Sequence, residues 1–166
     1  MVTIASLHDN PQYAPILAYW TFHEWYKHRS LDFDTVLKVY NSRIQSDSLP
    51  QIFVALDDTL PVGMATLKLD DLRSRKEINP WLSTLYVVPE CRGKGIGSAL
   101  IFKISERARE LGFEWLHLFL GQRDPARLER FYIKRGWEVI GNSMDNDGQS
   151  TKILRHCLRL SDNVSL

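Results

Sequence analysis

The sequence has 166 residues, a length that suits one domain. Hydrophobic residues make up 44% and charged residues 25%, a balance that excludes a disordered, collagen-like or coiled-coil chain. The 21 lysines and arginines barely exceed the 20 aspartates and glutamates, so there is no basic excess of the kind that neutralises nucleic-acid phosphates. We therefore expect an ordinary globular protein that does not bind nucleic acid.

The cysteines and the apolar runs predict the compartment. Cys91 and Cys157 lie outside any CxxC pair, and two cysteines are too few for a disulfide framework. The sequence does not open with basic residues followed by an apolar run, so no signal peptide is predicted. It also lacks a run of about 18 apolar residues, so no transmembrane helix is predicted. We therefore expect a cytoplasmic protein with reduced thiols and no membrane span.

The first half of the chain is predicted to alternate between helices and strands. A short strand over residues 2–7 precedes a helix that starts at Asn10-Pro11, since proline suits the first helical position. The second helix is predicted over residues 34–44, with Asp34 as its N-cap. The β-rich runs 51–56 and 62–69 then predict a hairpin.

The second half begins with a dense strand over residues 81–88, which Pro89 ends. A helix over residues 97–111 follows, and Gly112 is a natural stop for it. The remaining elements are a strand at 115–120, a helix at 125–135, and strands at 137–140 and 153–160, the last two joined by a polar loop. The whole order is βααβββαβαββ, which predicts one mixed α/β domain over residues 1–166.

The segment Leu85–Leu100, LYVVPECRGKGIGSAL, carries the chemistry. Glycines at alternate positions, Gly93, Gly95 and Gly97, allow positive φ angles and leave no Cβ to block a ligand. A helix start presents outward N–H groups and a positive dipole end, which together suit phosphate. The GxGxG spacing differs from both GxxxxGK[ST] and GxGxxG, which excludes a P-loop and a dinucleotide fingerprint.

Three motifs resemble those of the GNAT-type N-acetyltransferases. RGKGIG at 92–97 fits the family signature R/Q-x-x-G-x-G/A, and LYVVP at 85–89 is similar to its fourth strand. FYIKRGW at 131–137 is similar to its late motif F/L-Y-x-x-x-G-F/W. The resemblance covers about residues 51–160 in detail and the first 50 residues only in element order.

The resemblance implies a fold and a way of holding acetyl-CoA. The fold would be a twisted, mostly antiparallel sheet of about seven strands, splayed between strands 4 and 5, with four helices around it. The pantetheine amides would pair with the backbone of Tyr86, Val87 and Val88, extending the sheet. The residues implied to hold the pyrophosphate are Arg92, Gly93, Lys94, Gly95, Ile96, Gly97 and Ser98.

The resemblance also implies catalytic roles. Tyr132 would contact the cofactor and protonate the departing CoA thiolate, and a backbone N–H of Val87 or Val88 would stabilise the carbonyl oxygen. Glu24 is the candidate general base, although a water-mediated base or an amine that arrives neutral is equally compatible. The family usually has an asparagine seven residues before the tyrosine. Pro125 stands there instead, and Asp124 or Arg127 is the candidate replacement.

These features predict an acetyl-CoA-dependent N-acetyltransferase that acts directly on a primary amine, with a small-molecule acceptor favoured. A protein N-terminus or lysine is the alternative acceptor, and a longer acyl group than acetyl stays open. A non-catalytic acyl-CoA-binding sensor on the same fold is the alternative function. A homodimer is compatible with the resemblance, and no metal site is predicted.

Overall fold

The computed structural model describes residues 1–159, which form a mixed α/β fold with a seven-stranded sheet. The strand order is β1-β2-β3-β4-β5-β7-β6, antiparallel except where β4 runs parallel to β5. The strands are β1 Val2–Ser6, β2 Gln51–Asp57, β3 Leu60–Lys68, β4 Trp81–Val87, β5 Trp115–Phe119, β6 Glu138–Met144 and β7 Ser150–Cys157. The α-helices are α1 Ala14–Thr21, α2 Phe33–Ile44, α3 Ile96–Glu110 and α4 Pro125–Ile133. The predicted fold class and element order are confirmed.

The chain groups into two compact units. The first comprises Met1–Lys68 and Leu82–Ile104, and the second comprises Leu69–Trp81 and the described residues 105–159. The interpretation of residues 1–166 as one domain stays a prediction. Within residues 1–159, no helix is both long and apolar enough to cross a membrane.

The first unit has its core between helices α1 and α2 and the strands β2 and β3. Burial follows the helical period on α1, where Leu17 and Ala18 are fully enclosed, and on α2, where Val36 and Tyr40 face inward. Strand β2 is buried over six successive residues, Gln51–Leu56, so its sequence shows no polar alternation. This core supports β4 and the loop that follows it.

The second unit is built on the antiparallel strands β5, β7 and β6. Trp81 is fully buried among Leu72, Ile78 and Ile153, and its indole N–H donates to the Ile78 carbonyl at 2.7 Å. Such a partner is what a buried indole requires. Trp81 lies opposite His117 in the parallel pairing of β4 with β5.

Two local predictions were wrong. The N-cap of α2 is Asp32 rather than Asp34, because the Asp32 carboxylate accepts the Thr35 N–H at 2.7 Å and the helix starts at Phe33. Strands β6 and β7 continue beyond the predicted residues 140 and 153 up to the polar turn, where Asp145 accepts the N–H groups of Asp147 and Gln149. The predicted last strand ended at Leu160, which lies outside the described residues.

Candidate active site

The glycine-rich loop follows β4 and leads into α3 in the first unit. A single 3-10 turn, Pro89–Cys91, precedes Arg92, and α3 begins at Ile96. The first helical hydrogen bond runs from the Ala99 N–H to the Gly95 carbonyl at 3.0 Å. The N–H groups of Ile96 and Gly97 precede it, so they have no acceptor within the helix. They are available to an anion.

Two of the loop glycines are required by backbone conformation. Gly93 has φ +77° and Gly95 has φ +81°, the left-handed region that residues with a Cβ rarely adopt. A Cβ built on either glycine would meet no atom within 4 Å. Packing therefore does not demand these glycines, and the space above them is open to a ligand.

Arg92 and Lys94 supply positive charge on the same loop, and both are exposed. The Arg92 Nε donates to the Val87 carbonyl at 2.9 Å, and its guanidinium lies 5.8 Å from the centre of the Tyr86 ring. The carbonyl bond anchors the Arg92 side chain to the end of β4. Open space, free N–H groups and cationic side chains together fit a diphosphate such as that of CoA.

Strand β4 approaches β3 closely where it leads into this loop. A Cβ on Gly63 of β3 would lie 2.8 Å from the Tyr86 carbonyl oxygen and 3.2 Å from a Leu100 methyl group. The Val88 N–H donates to the Val62 carbonyl at 3.0 Å. Because the Val88 N–H is already bonded, it is not available to the acetyl carbonyl oxygen. The Val87 N–H stays the predicted oxyanion donor.

Thr84 gives β4 a backbone irregularity two residues before Tyr86. Its φ of +48° is left-handed, a conformation that costs a residue with a Cβ about 1–2 kcal/mol. The Thr84 and Thr66 hydroxyls are hydrogen-bonded at 2.6 Å. β-Branched residues seldom adopt this conformation without compensation.

Four side-chain hydroxyls form two hydrogen-bonded pairs, and we call Thr21, Tyr40, Thr66 and Thr84 the hydroxyl cluster. The Thr21 and Tyr40 hydroxyls bond each other, and both lie against the Met64 sulfur, Tyr40 at 3.7 Å. Burial raises the pKa of Tyr40 to about 12, while hydrogen bonds from Thr21 and Thr84 act to lower it. The cluster connects α1 and α2 to β3 and β4.

Tyr132 lies in the second unit, on the last turn of α4, and only 7% of it is exposed. The rings of Phe131 and Trp137 pack against it at 5.1 and 5.5 Å, both edge to face. Burial raises the pKa of Tyr132 above its usual value of 10.0. The phenol is therefore protonated throughout the neutral pH range and can donate a hydrogen bond there.

Glu24 lies half-buried in a π-helical segment, Phe22–Tyr26, that extends α1. Periodicity alone did not predict this wider turn, which occurs frequently at functional sites. It carries Trp25 and Tyr26, both packed against the core of the first unit, and the Tyr26 ring lies 4.9 Å from the Arg29 guanidinium. Glu24 stays the predicted general base.

Asp124, one candidate substitute for the missing asparagine, is the N-cap of α4. Its carboxylate accepts the Arg127 N–H at 3.3 Å, and its own φ is +48°. Asp124 and Arg127 thus make a helix cap together. A contact of either side chain with pantetheine stays a prediction.

Sequence reasoning missed the hydroxyl cluster and the close approach at Gly63. One signal was available, since an isolated glycine inside a strand indicates a bulge or a nearby backbone. No comparable signal marks Thr84, because threonine is a common strand residue.

Comparisons with known proteins identify the family of the chain. The family model for the acetyltransferase (GNAT) family matches residues 14–137. No curated protein matches the sequence.

Solved structures share the fold over almost the whole chain. A GNAT-family protein from Desulfovibrio desulfuricans is 17% identical with a TM-score of 0.76, covering 96% of this chain and 100% of its own. A Salmonella typhimurium protein solved with its cofactor acetyl-CoA is 20% identical with a TM-score of 0.66, covering 96% and 94%. An aminoglycoside 6'-N-acetyltransferase complexed with coenzyme A is 14% identical with a TM-score of 0.74, covering 95% and 98%.

At these identities the structures show a common fold, whereas the family model rests on the sequence itself. That model spans three motifs recognised above, the end of β4, the glycine-rich loop and the segment around Tyr132. It covers well over half of the chain, which therefore belongs to the GNAT family of acetyltransferases.

Proposed function

We propose that this chain transfers the acetyl group of acetyl-CoA directly to a primary amine of a small molecule. The observation that carries the proposal is the anion-binding loop, where two left-handed glycines leave open space beside a helix start and two cationic side chains. The Salmonella relative was solved with acetyl-CoA. Acetyl-CoA is accordingly the co-substrate.

When bound, acetyl-CoA supplies a thioester whose carbonyl carbon is already activated toward an amine. The amine nitrogen forms the new bond to that carbon, the carbon–sulfur bond breaks, one proton leaves the nitrogen and one reaches the sulfur. Catalysis is then largely a matter of positioning the two reactants.

Tyr132 is the proposed proton donor to the departing sulfur. Its raised pKa keeps the phenol protonated. A thiolate is a weaker base than a phenolate, so Tyr132 acts first as a hydrogen-bond donor that stabilises the negative charge on sulfur. Protonation of the released thiolate completes the step.

Glu24 is the proposed acceptor for the amine proton, directly or through water. Its place on the π-helical segment, among half-buried aromatic side chains, supports a role beyond that of an exposed helix residue. An amine that arrives neutral would need no such base. We therefore expect substitution of Glu24 by glutamine to lower turnover only at pH values at which the amine is protonated in solution.

A small-molecule acceptor is favoured by two observations. One structural relative acts on aminoglycosides, which are small polyamines. The net charge of +1 gives no general attraction for a polycationic protein tail. We also propose that the protein works in the cytoplasm, in keeping with its two free cysteines, Cys91 and Cys157.

The test is CoA release from acetyl-CoA across a panel of small amines, polyamines, aminoglycosides and peptides. Reactions without an acceptor correct for background hydrolysis. We expect turnover with one class of small amine and at most weak turnover with peptides. Turnover confined to peptides would replace the acceptor class, and acetyl-CoA binding without turnover on any acceptor would favour the sensor.

A further inference from the structure

The turn that follows α4 is bonded to strand β7 by one histidine. Helix α4 ends at Ile133, and the chain then turns through Gly136, whose φ is +81°. The Gly136 carbonyl oxygen lies 3.1 Å from Nδ1 of His156 on β7. Because a carbonyl can only accept, Nδ1 carries a proton and donates it to this bond. His156 thus ties the end of α4 to the sheet.

The same imidazole supports the ring that packs on Tyr132. Its centre lies 5.4 Å from the centre of the Trp137 indole, and the two planes are inclined by 27°, so the rings are stacked. Trp137 is only 3% exposed, and its indole meets the Tyr132 ring edge to face at 5.5 Å. The backbone N–H of Trp137 also donates to the Tyr132 carbonyl at 3.2 Å. His156 therefore acts on Tyr132 through the indole and through the turn.

The orientation of Tyr132 depends on this packing, because its hydroxyl is not held by a hydrogen bond. Within residues 1–159, no group bonds that hydroxyl, and every fully enclosed side-chain polar atom has a partner. The hydroxyl therefore reaches open space although its ring is buried. A proton donor has to lie within ~2.6–3.2 Å of its acceptor, and misplacement by about 1 Å can cost ~10²-fold in rate.

We infer that His156 is a positioning residue for Tyr132. Its hydrogen bond to Gly136 and its stack on Trp137 together hold the phenol where it can donate to the departing sulfur. This inference rests on the proposed function, because it adds a residue to the same reaction. His156 acts through its two neighbours rather than on the reactants, so its effect falls on turnover and not on cofactor binding.

The first variant is His156→Ala, which removes both contacts. We expect kcat with the best acceptor to fall about tenfold, since a displaced Tyr132 donates less well. The Kd for acetyl-CoA should stay within about twofold of the wild-type value, because no contact to the cofactor is lost. Calorimetry on the full chain gives this Kd and the fraction of protein that binds, which corrects kcat for any unfolded protein.

Two conservative variants separate the two contacts. His156→Asn keeps an N–H donor near the place of Nδ1 but loses the ring, whereas His156→Phe keeps a ring against Trp137 but loses the donor. Each should have a corrected kcat between those of the wild type and His156→Ala. Corrected kcat values as low as that of His156→Ala in both variants would contradict the assigned contacts.

The decisive measurement is a double-mutant cycle with Tyr132→Phe. If His156 acts by positioning the phenol, its removal has nothing left to misplace once the hydroxyl is gone. His156→Ala should therefore lower the corrected kcat about tenfold in the wild-type background and less than about twofold in the Tyr132→Phe background. A residue that only stabilises the fold would lower stability in urea in both backgrounds and leave the corrected kcat unchanged.

His8 provides a matched control in the first unit. Its Nδ1 lies 2.6 Å from the Ile44 carbonyl oxygen, so it makes the same kind of bond between a loop and a helix end. His8→Ala should lower the free energy of unfolding without changing the corrected kcat, because the bond that it loses does not support Tyr132.

The outcomes distinguish the inference from the function on which it rests. If the wild-type protein turns over but His156→Ala keeps its corrected kcat, or loses it equally in both backgrounds, the inference is wrong and the function stands. An unchanged kcat in Tyr132→Phe would remove the proton donor and the inference together, while acetyl transfer stands. Wild-type protein that turns over no acceptor overturns both.

Discussion

At the scale of single residues, the chemistry of the proposed reaction is concentrated on Tyr132. Its ring is enclosed by Phe131 and Trp137, and burial holds its pKa above the usual value. Among residues 1–159, no group hydrogen-bonds the Tyr132 hydroxyl. A buried phenol of this kind has its donor available for a substrate.

Tyr132→Phe should lower kcat by about 10²-fold, the low end for general-acid assistance, because hydrogen-bond donation to the sulfur contributes less than full proton transfer. The Kd for acetyl-CoA should change little, since the ring is kept. Steady-state kinetics with the best acceptor measure both. Tyr19→Phe, which alters an exposed tyrosine of α1, serves as the control. An unchanged kcat in Tyr132→Phe would remove this residue from the mechanism.

His117 gives a residue-scale prediction about stability and pH. Burial lowers its pKa below 6.5, the Pro80 carbonyl acts to raise it, and Arg155 acts to lower it. The Nδ1–H of the neutral ring donates to that carbonyl at 3.1 Å, and the ring lies 5.9 Å from the Trp81 indole. The folded state therefore favours the neutral imidazole.

The sign of the pH dependence follows. Below pH 6.5 the unfolded chain takes up a proton at His117 more readily than the folded protein does, so the free energy of unfolding falls as pH drops from 6.5 toward the lowered pKa of the folded state. His117→Gln should remove this part of the dependence, and the exposed His28→Gln should retain it. Urea unfolding between pH 7.5 and 5 measures it. A wild-type stability that rises on acidification would contradict the assignment.

At the scale of elements, the path of β4 depends on its neighbours. Gly63→Ala would place a methyl group 2.8 Å from the Tyr86 carbonyl oxygen, which is backbone and cannot rotate away. We expect a loss of about 1–3 kcal/mol in the free energy of unfolding and weaker acetyl-CoA binding. Gly121→Ala is the control, because its nearest neighbour, a Leu128 methyl group, is 4.0 Å away. Equal stability of the two variants in urea would show that β3 and β4 do not constrain each other here.

The loop between β4 and α3 allows a similarly matched test. Gly95 and Gly148 have φ angles of +81° and +79°, and neither has an atom within 4 Å of an added Cβ. Substitution by alanine should therefore cost each variant the same ~1–2 kcal/mol of stability. Calorimetry should show acetyl-CoA binding weakened about tenfold or more in Gly95→Ala alone, because a methyl group there enters the anion-binding space. Equal binding by both variants would place the phosphates elsewhere.

Elements with a strong hydrophobic period were predictable, and so was the glycine-rich loop, since its spacing is rare and its backbone requirement is local. Features that depend on tertiary contact were not. WLSTLYV of β4 has the composition of a regular strand, and the left-handed Thr84 arises from hydroxyls that belong to other elements. Asp32 and Asp34 are equally good caps by composition, and only the observed hydrogen bond to Thr35 selects Asp32.

At the scale of the whole molecule, the fold does not determine the acceptor. Structures with TM-scores of 0.66 to 0.76 share this architecture at 14% to 20% identity, so the same scaffold accommodates very different surfaces. The near-neutral net charge of +1 likewise leaves the choice to local groups. The acceptor has to be identified on the full chain.

The most direct measurement follows a labelled acetyl group. Wild-type protein is incubated with acetyl-CoA that carries an isotopic label in its acetyl group and with the best amine of the panel, and mass spectrometry locates the label. The account predicts that the label appears on the amine nitrogen, that free CoA forms in equal amount, and that the protein carries none. Label on a protein side chain such as Cys91, or label that stays on CoA, would contradict direct transfer to a small amine.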